Sequence, residues 1–213
     1  MAIWGNRPIF RDDGSVVTRD TIIGDAVPDH EMFFTNTFTF GRFTLNTQID
    51  WRKGGDVTNL TQNIWDQFQR SRDYDAPSPC RGQTIENLAC VRNAGGRRVM
   101  LDTSATATLG AYRFARWNNG NDARVYVQDG SFVKLREVSL TYSVPQSIAR
   151  RLLGQRVSDV RLNVVGRNLA VFMDYWGMDP EVTNFGNGPI RSAVDLAPFP
   201  PSRQFFFSVD VGF

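Results

Sequence analysis

Along residues 42–52 apolar and polar side chains alternate without a break. Phe43, Leu45, Thr47, Ile49 and Trp51 fall on one face of an extended chain, and Thr44, Asn46, Gln48, Asp50 and Arg52 on the other. A period of two is what a β-strand with one apolar face requires. The run before it behaves the same way, with Phe34, Asn36, Phe38 and Phe40 against Thr35, Thr37 and Thr39. Gly41-Arg42 between the two runs reads as a tight hairpin turn. Residues 131–144 form the next predicted strand, with Val138, Leu140, Tyr142 and Val144 sharing a face. Its pattern shifts across residues 134–137, which marks a bulge or the water-facing end. Asp159–Phe172 sets Val160, Leu162 and Val164 against Arg161, Asn163 and Val165, and Gly166 offers a second bulge. The chain closes with Phe205, Phe207, Val209, Val211 and Phe213 alternating with Phe206, Ser208, Asp210 and Gly212.

Two segments switch to helical spacing. After the turn signal Gly54-Gly55-Asp56, the residues Val57, Leu60, Ile64 and Phe68 predict an amphipathic helix over residues 56–70. Pro145 opens a second short helix, Gln146–Leu153, which Gly154 closes. Residues 71–96 and 175–202 are rich in Pro, Asp, Asn and Gly and read as long loops.

Several strands exceed the five or six residues usual in soluble proteins. Their apolar faces end in aromatics: Trp51, Tyr142, Phe172 and Phe213. The fold class is therefore all-β and antiparallel. In a soluble β-sandwich or barrel the apolar face points inward. In an outer-membrane barrel it points to lipid, and the aromatics form girdles. Alternation is common to both, so both stand on pattern alone.

Composition removes other classes. One His and two Cys among 213 residues leave no multi-His metal site, no four-Cys zinc site and no cysteine-ligated cluster. A net charge of +2 gives no bulk attraction to nucleic acid. No apolar run approaches the roughly 18 residues of a spanning helix, whereas a spanning strand needs only about 10. Met1-Ala2-Ile3-Trp4-Gly5-Asn6-Arg7 has no signal-peptide pattern, so either the protein is cytosolic or these residues lie inside a longer exported chain. Cys80 and Cys90, ten positions apart in the polar stretch 77–93, are either a small disulfide-closed loop outside the cytoplasm or two reduced thiols.

Reaction chemistry finds little support. His30 has no nucleophile motif beside it. Asp12-Asp13-Gly14 and residues 118–122 are oxygen-rich but lack calcium-loop spacing, so they read as turns. Asp73 and Asp75 read the same way. Arg97-Arg98 and Arg150-Arg151 are basic pairs, solvated or near headgroups. Gly186-Asn187-Gly188 lacks the strand, helix and Lys of a phosphate loop. No metal, cofactor or catalytic residue is expected.

One stretch, Asp129-Gly130-Ser131-Phe132-Val133-Lys134-Leu135-Arg136-Glu137-Val138-Ser139-Leu140-Thr141-Tyr142-Ser143-Val144-Pro145, resembles the "G-S-Y-x-R-L-(K/R)-N-V-x-L-x-Y-x-(L/V)-P" segment of SusC/RagA-type TonB-linked outer-membrane proteins. Val160 through Leu169, with Gly166-Arg167-Asn168-Leu169, is similar to that family's "(G/A)-x-N-L" strand. Gly177-Met178-Asp179-Pro180-Glu181-Val182 resembles "G-x-D-P-E-V", Gly24-Asp25-Ala26-Val27-Pro28-Asp29 resembles "G-D-x-x-P-(D/E)", and Gly54-Gly55-Asp56-Val57-Thr58-Asn59 resembles "G-G-D-v-x-N". Pro201-Ser202-Arg203-Gln204-Phe205 and the last strand are similar to the family's aromatic terminus. Each motif is short, but six follow one another in the family's order.

The resemblance implies an antiparallel transmembrane β-barrel segment, with about seven to eight strands of a larger, 22-stranded barrel. It covers the C-terminal portion of the barrel, residues 1–213, so the signal peptide, TonB box and plug domain of such proteins are expected to lie outside this sequence, and the chain to be part of a longer transporter. The implied function is import of large nutrients, oligosaccharides or peptides, across the outer membrane of a Gram-negative bacterium. The implied partners are lipid, a SusD-like lipoprotein cap, the TonB complex through the missing N-terminal part, and the barrel-assembly machinery; no nucleic acid is expected. Asn46, Gln48, Asp50, Arg52, Arg161, Asn163, Arg167 and Asp210 would face the lumen as possible substrate contacts. Phe43, Leu45, Ile49, Val138, Leu140, Val160, Leu162, Phe207, Val209 and Val211 would face lipid. Phe213 would be the assembly signal, and residues 71–96 and 175–202 extracellular loops touching a cap protein or substrate. A soluble secreted carbohydrate-binding β-sandwich and a small stand-alone structural barrel are the alternatives.

Overall fold

The computed structural model describes residues 1–119, 122–184 and 193–213. In chain order its strands are β1 (Ala2–Phe10), β2 (Val16–Asp25), β3 (Pro28–Phe40), β4 (Phe43–Gly54) and β5 (Asp56–Asn59), then β6 (Val91–Ala94), β7 (Arg97–Met100), β8 (Val127–Asp129), β9 (Phe132–Ser143), β10 (Asp159–Phe172), β11 (Val194–Asp195) and β12 (Gln204–Gly212). The helices are α1 (Leu60–Gln67), α2 (Leu109–Phe114) and α3 (Gln146–Leu153). Among the described residues seven strands run nine residues or longer. None of the described helices is long and apolar enough to cross a membrane. The chain forms two compact units. One comprises Met1–Pro28, Gly54–Gly130 and Tyr175–Phe199, the other Asp29–Lys53, Ser131–Asp174 and Pro200–Phe213.

The second unit is a single sheet in the order β12-β10-β9-β4-β3. The pairings β12–β10, β10–β9 and β9–β4 are antiparallel. Two irregularities interrupt them. Gln48 and Ile49 pair with Glu137 and Leu135, so Arg136 is the extra residue of a bulge inside the stretch where the sequence pattern shifts. The other falls between Arg167 and Ala170, two residues beyond the glycine that suggested it. There Asn168 takes a left-handed φ of 53°, and its side-chain amide donates to the Ser202 carbonyl at 3.2 Å. Asn tolerates that backbone better than most residues, which gives the Gly-x-Asn-Leu signature a structural reason. Asn168→Val should lower stability by about 1–3 kcal/mol, while Asn168→Gly stays near wild type. Urea midpoints of the whole detergent-folded transporter carrying each change measure both, and equal losses would sink the explanation.

The first unit is built differently. It holds the β1–β2 hairpin, a three-stranded sheet β11-β5-β8 and the β6–β7 hairpin. The β1–β2 hairpin carries weak alternation and was not evident in the sequence. The predicted helix over 56–70 is split: Gly54 (φ 76°) and Gly55 (φ 81°) turn the chain, β5 follows, and the helix starts only at Leu60. Asn59 caps it, accepting from the Gln62 amide at 2.7 Å. The expected loop 71–96 contains β6 and a disulfide between Cys80 and Cys90, both fully buried beside Leu101. Cys80→Ser with Cys90→Ser should cost this unit about 2–4 kcal/mol, as loss of a short loop's cross-link does. Thermal unfolding with and without reductant measures it; an unchanged midpoint would count against a stabilising role.

Candidate functional site

The registers fix which side chains share a face of the five-stranded sheet. Phe43, Tyr142, Leu162 and Val209 stand in one row, and Leu45, Leu140, Val164 and Phe207 in the next. Val138 lies opposite Thr47, and Ile49 opposite Leu135, on the same face. Phe207 is 77% exposed, Val209 63%, Leu140 42% and Leu162 41%. Phe34, Phe38 and Phe40 of β3 are exposed as well. Leu45, Ile49 and Val138 are half-buried by their neighbours. A water-soluble sheet covers such a face with a second layer, because burying each large apolar side chain is worth about 1.5–3 kcal/mol. Patches of this extent mark an interface.

Aromatics close this face at both ends. Phe43 and Tyr142 stack with ring centroids 4.7 Å apart. At the other end Trp51 and Phe172 both lie opposite Val133. Eight residues separate Phe43 from Trp51, about 26 Å along a strand. With the usual tilt of a membrane strand this gives a band roughly 20 Å tall, close to the lipid-facing height of outer-membrane barrels.

Val160 departs from its expected place. It lies in the apolar row, opposite Val211, but is only 5% exposed. Ala149 of α3 and Val157 cover it, so lipid contact at that position is replaced by helix packing.

The opposite face is polar. Asn46 pairs with Ser139, Gln48 with Glu137, and Glu137 with Arg167; Arg161 pairs with Asp210, and Asn163 with Ser208. All eight residues expected on the lumen side share this face. Most of them are linked side chain to side chain with a neighbour. Asn46 receives Thr37 at 2.7 Å and donates to Ser139 at 3.3 Å. Asn163 donates to Ser208 at 3.2 Å and to Asp210 at 2.5 Å. Arg167 holds Glu137 at 2.8 Å and lies over the Phe206 ring. Arg136 bonds Asp50, and Arg52 lies 3.5 Å from Glu31. The result is a wetted wall with paired charges, suited to contact with water and polar solutes rather than to bond chemistry. His30 sits edge-on to Trp51, and no described nucleophile contacts it.

Connectivity gives the sheet a polarity. The Gly41-Arg42 turn, the α3 connection and the end of β12 at Gly212 share one end. At the other end the chain leaves the sheet after Lys53 and Asp174 and re-enters at Asp29, Ser131 and Pro200. Short turns at one end and long excursions at the other are the habit of outer-membrane barrels.

The excursions are held by buried ion pairs. On α1 the buried residues are Gln62 and Asp66, Leu60 and Ile64 are half-buried, and Trp65 and, just past the helix, Phe68 are exposed. The Asp66 carboxylate accepts from Arg113 at 2.7 and 2.8 Å and from the Tyr126 hydroxyl at 3.0 Å. Arg113 also donates twice to Asp73 at 3.0 Å, and Asp73 accepts from the Trp176 indole at 3.0 Å. Burial opposes the Arg113 charge, but its hydrogen bonds to Asp66 and Asp73 outweigh burial and raise its pKa. Burial alone would raise Asp73; the Arg113 and Trp176 hydrogen bonds and the Arg113 charge hold it below its ordinary value. Asp122 follows the same logic, with burial outweighed by Arg124 and Arg116.

The Gly-Asp and Gly-x-Asp-Pro motifs outside the sheet make turn contacts. Asp56 accepts from the Asp25 amide at 2.8 Å. Asp179 accepts from the Glu181 amide at 2.9 Å. A Cβ on Gly177 would stand 2.3 Å from the Tyr175 ring, so glycine is required there. Asp13 accepts from the Ser15 amide and hydroxyl, and the Asp13-Gly14 cluster is a turn. The Gly186-Asn187-Gly188 stretch, residues 120–121 of the 118–122 cluster and part of the 175–202 loop lie outside the described residues.

A sheet apolar and bare on one face, polar on the other, and turned tightly at one end only is a segment of a transmembrane β-barrel wall. No family model matches the chain. Sequence relatives are TonB-dependent receptors of Formosa agariphila. Receptor P3 is 29% identical over 207 residues, covering 94% of this chain and 18% of the relative. Receptor P26 is 26% identical over 206 residues, and P39 26% over 214, each with 19% of its own length matched. The chain thus spans about a fifth of the length of the curated relatives it matches. Solved structures of the RagAB peptide importer in its closed-closed and open-open states cover 100% of this chain at TM-score 0.56 and 16% identity, over 23% and 22% of their own chains. At that identity the likeness shows the fold. The resemblance to TonB-dependent receptors of SusC/RagA type, first carried by the six motifs, therefore extends over nearly the whole chain.

Proposed function

We propose that this chain is the C-terminal portion of the barrel of a TonB-dependent outer-membrane transporter of SusC/RagA type. The observation that carries the reading is the opposition of the two sheet faces, apolar and exposed against polar and hydrogen-bonded, along five paired strands. The apolar face meets lipid, because open sheet can persist in a membrane only inside a closed barrel. The polar face lines a lumen, where Asn46, Gln48, Asp50, Arg52, Arg161, Asn163, Arg167 and Asp210 contact passing solute. The cargo is a large nutrient, an oligosaccharide or a peptide. The end with long excursions faces outward and meets a SusD-like lipoprotein. The end with tight turns faces the periplasm, where the TonB complex acts through a plug domain. Phe213 engages the assembly machinery. The chain performs no reaction; it is wall and loop.

Cell fractionation combined with gene deletion tests this. The chain is expected in the outer membrane, resistant to carbonate extraction and co-purifying with a lipoprotein, and the deletion strain is expected to lose growth on the imported polymer. Recovery of the chain in the soluble fraction would overturn the reading.

A further inference from the structure

We propose that α3 is an interfacial helix that seats in the headgroup layer of an anionic phospholipid leaflet beside the strand wall. The inference rests on the reading of the sheet as a membrane wall.

The helix joins β9 to β10 and packs through Ala149 on Val157 and Val160, with Val144 against the same cluster. Val160 belongs to the apolar rows, opposite Val211. Val144 continues the row of Tyr142, and its amide donates to the Val160 carbonyl at 2.9 Å. So α3 lies on the apolar face of the sheet, not on the polar one. A helix there, at the tight-turn end, stands on the lipid side of the wall.

Its own surface fits that position. Ile148 is 47% exposed, Leu152 74% and Leu153 57%. Ile148 and Leu152 are four residues apart and share a stripe with Ala149 and Leu153 beside it, whereas Arg150 and Arg151 project from the other side. Residues 144–158 contain Arg150, Arg151 and Arg156 and no acidic residue. The Arg150 Nε donates to the Val157 carbonyl at 3.4 Å, and Asp159, the next acid along the chain, pairs with Arg161, so among the described residues neither arginine of the helix pairs with a carboxylate. A short helix with exposed leucines on one side and arginines on the other lies in an interface, with its apolar side among acyl chains and its cations among phosphates. The apolar stripe is continuous with the exposed rows of the sheet, and the arginines complement phosphate charge. Both features select a lipid surface over a protein partner. Each arginine near an anionic leaflet strengthens association about fivefold.

Nitroxide labels test the helix and the wall separately. The whole transporter that contains this chain is reconstituted in phosphatidylcholine vesicles with and without phosphatidylglycerol. Labels are placed singly at Leu152→Cys, Leu162→Cys and Asn163→Cys; Cys80 and Cys90 are bonded to each other and do not react. At positions 152 and 162 collisions with oxygen should exceed those with a polar nickel complex severalfold, and at 163 the order should reverse. Adding Arg150→Gln and Arg151→Gln to the Leu152→Cys chain should move its label toward water, and more so when phosphatidylglycerol is present. A water-like label at 152 beside a lipid-like label at 162 overturns the interfacial helix and leaves the wall intact. Water-like labels at both overturn the wall and the helix with it. A label at 152 unmoved by the arginine changes overturns the headgroup contact.

Discussion

Arg113→Ala should destabilise the unit that carries α1 and α2 by about 3–5 kcal/mol, the cost of leaving buried carboxylates without their cation. The side chain is 9% exposed and makes four hydrogen bonds to two carboxylates, with the Asp66 side chain fully buried beneath it. Replacing both ends should cost less than replacing one. Asp66→Leu combined with Arg113→Met removes the stranded charge, and the coupling is read from the double-mutant cycle. Tryptophan fluorescence during urea unfolding of the whole detergent-folded transporter reports it, since Trp176 donates to Asp73 and Trp117 meets Tyr126 edge-on. A loss below about 1 kcal/mol would mean that the pair is solvated and the buried geometry is wrong, because exposed pairs contribute no more than that.

Two buried ion-pair clusters, Arg113 with Asp73 and Arg116 and Arg124 with Asp122, set an acid limb. Asp73 and Asp122 are held below their ordinary pKa in the folded chain. Their contribution is fully present above the unfolded carboxylate value of about 4 and fades as pH falls through the lower folded values. Stability should therefore fall on acidification below about pH 4. In Arg113→Ala the Asp73 part of that fall should vanish. An acid limb identical in both proteins would rule out Arg113 as the cause.

Leu162→Arg should cost about 2–4 kcal/mol in a bilayer, the penalty for a cation at mid-depth on the lipid face of a barrel strand. Asn163→Arg, one residue along, should cost little, because its side chain joins Ser208 and Asp210 on the wetted face. Folding free energies measured in vesicles decide between them. Equal costs would remove the distinction between the faces on which the transport reading depends.

The strands of the sheet were legible because their signal is local. Alternation over residues 42–52 predicts β4, and Asp159–Phe172 was bounded as observed. The face assigned to Asn46, Asp50, Asn163 and Asp210 follows from counting by two, and the registers place those residues together. The bulge at Arg136 was visible as a shift in period. The pattern fails where burial is polar. On α1 the fully buried side chains are polar and lie outside the apolar stripe of Ile64 and Phe68, because Asp66 is compensated by Arg113, 47 positions away, and by Tyr126, 60 away. No local period encodes a partner that distant.

The sequence by itself determined that this protein is built on long two-faced strands with aromatic ends, and which side chains share each face, since a strand's geometry repeats every two residues. Only the tertiary structure decided which strands are neighbours, that α3 covers Val160, that Cys80 meets Cys90, and that the apolar face stays open. Those outcomes depend on contacts between residues far apart in the chain, where pairing and burial, not periodicity, select the arrangement.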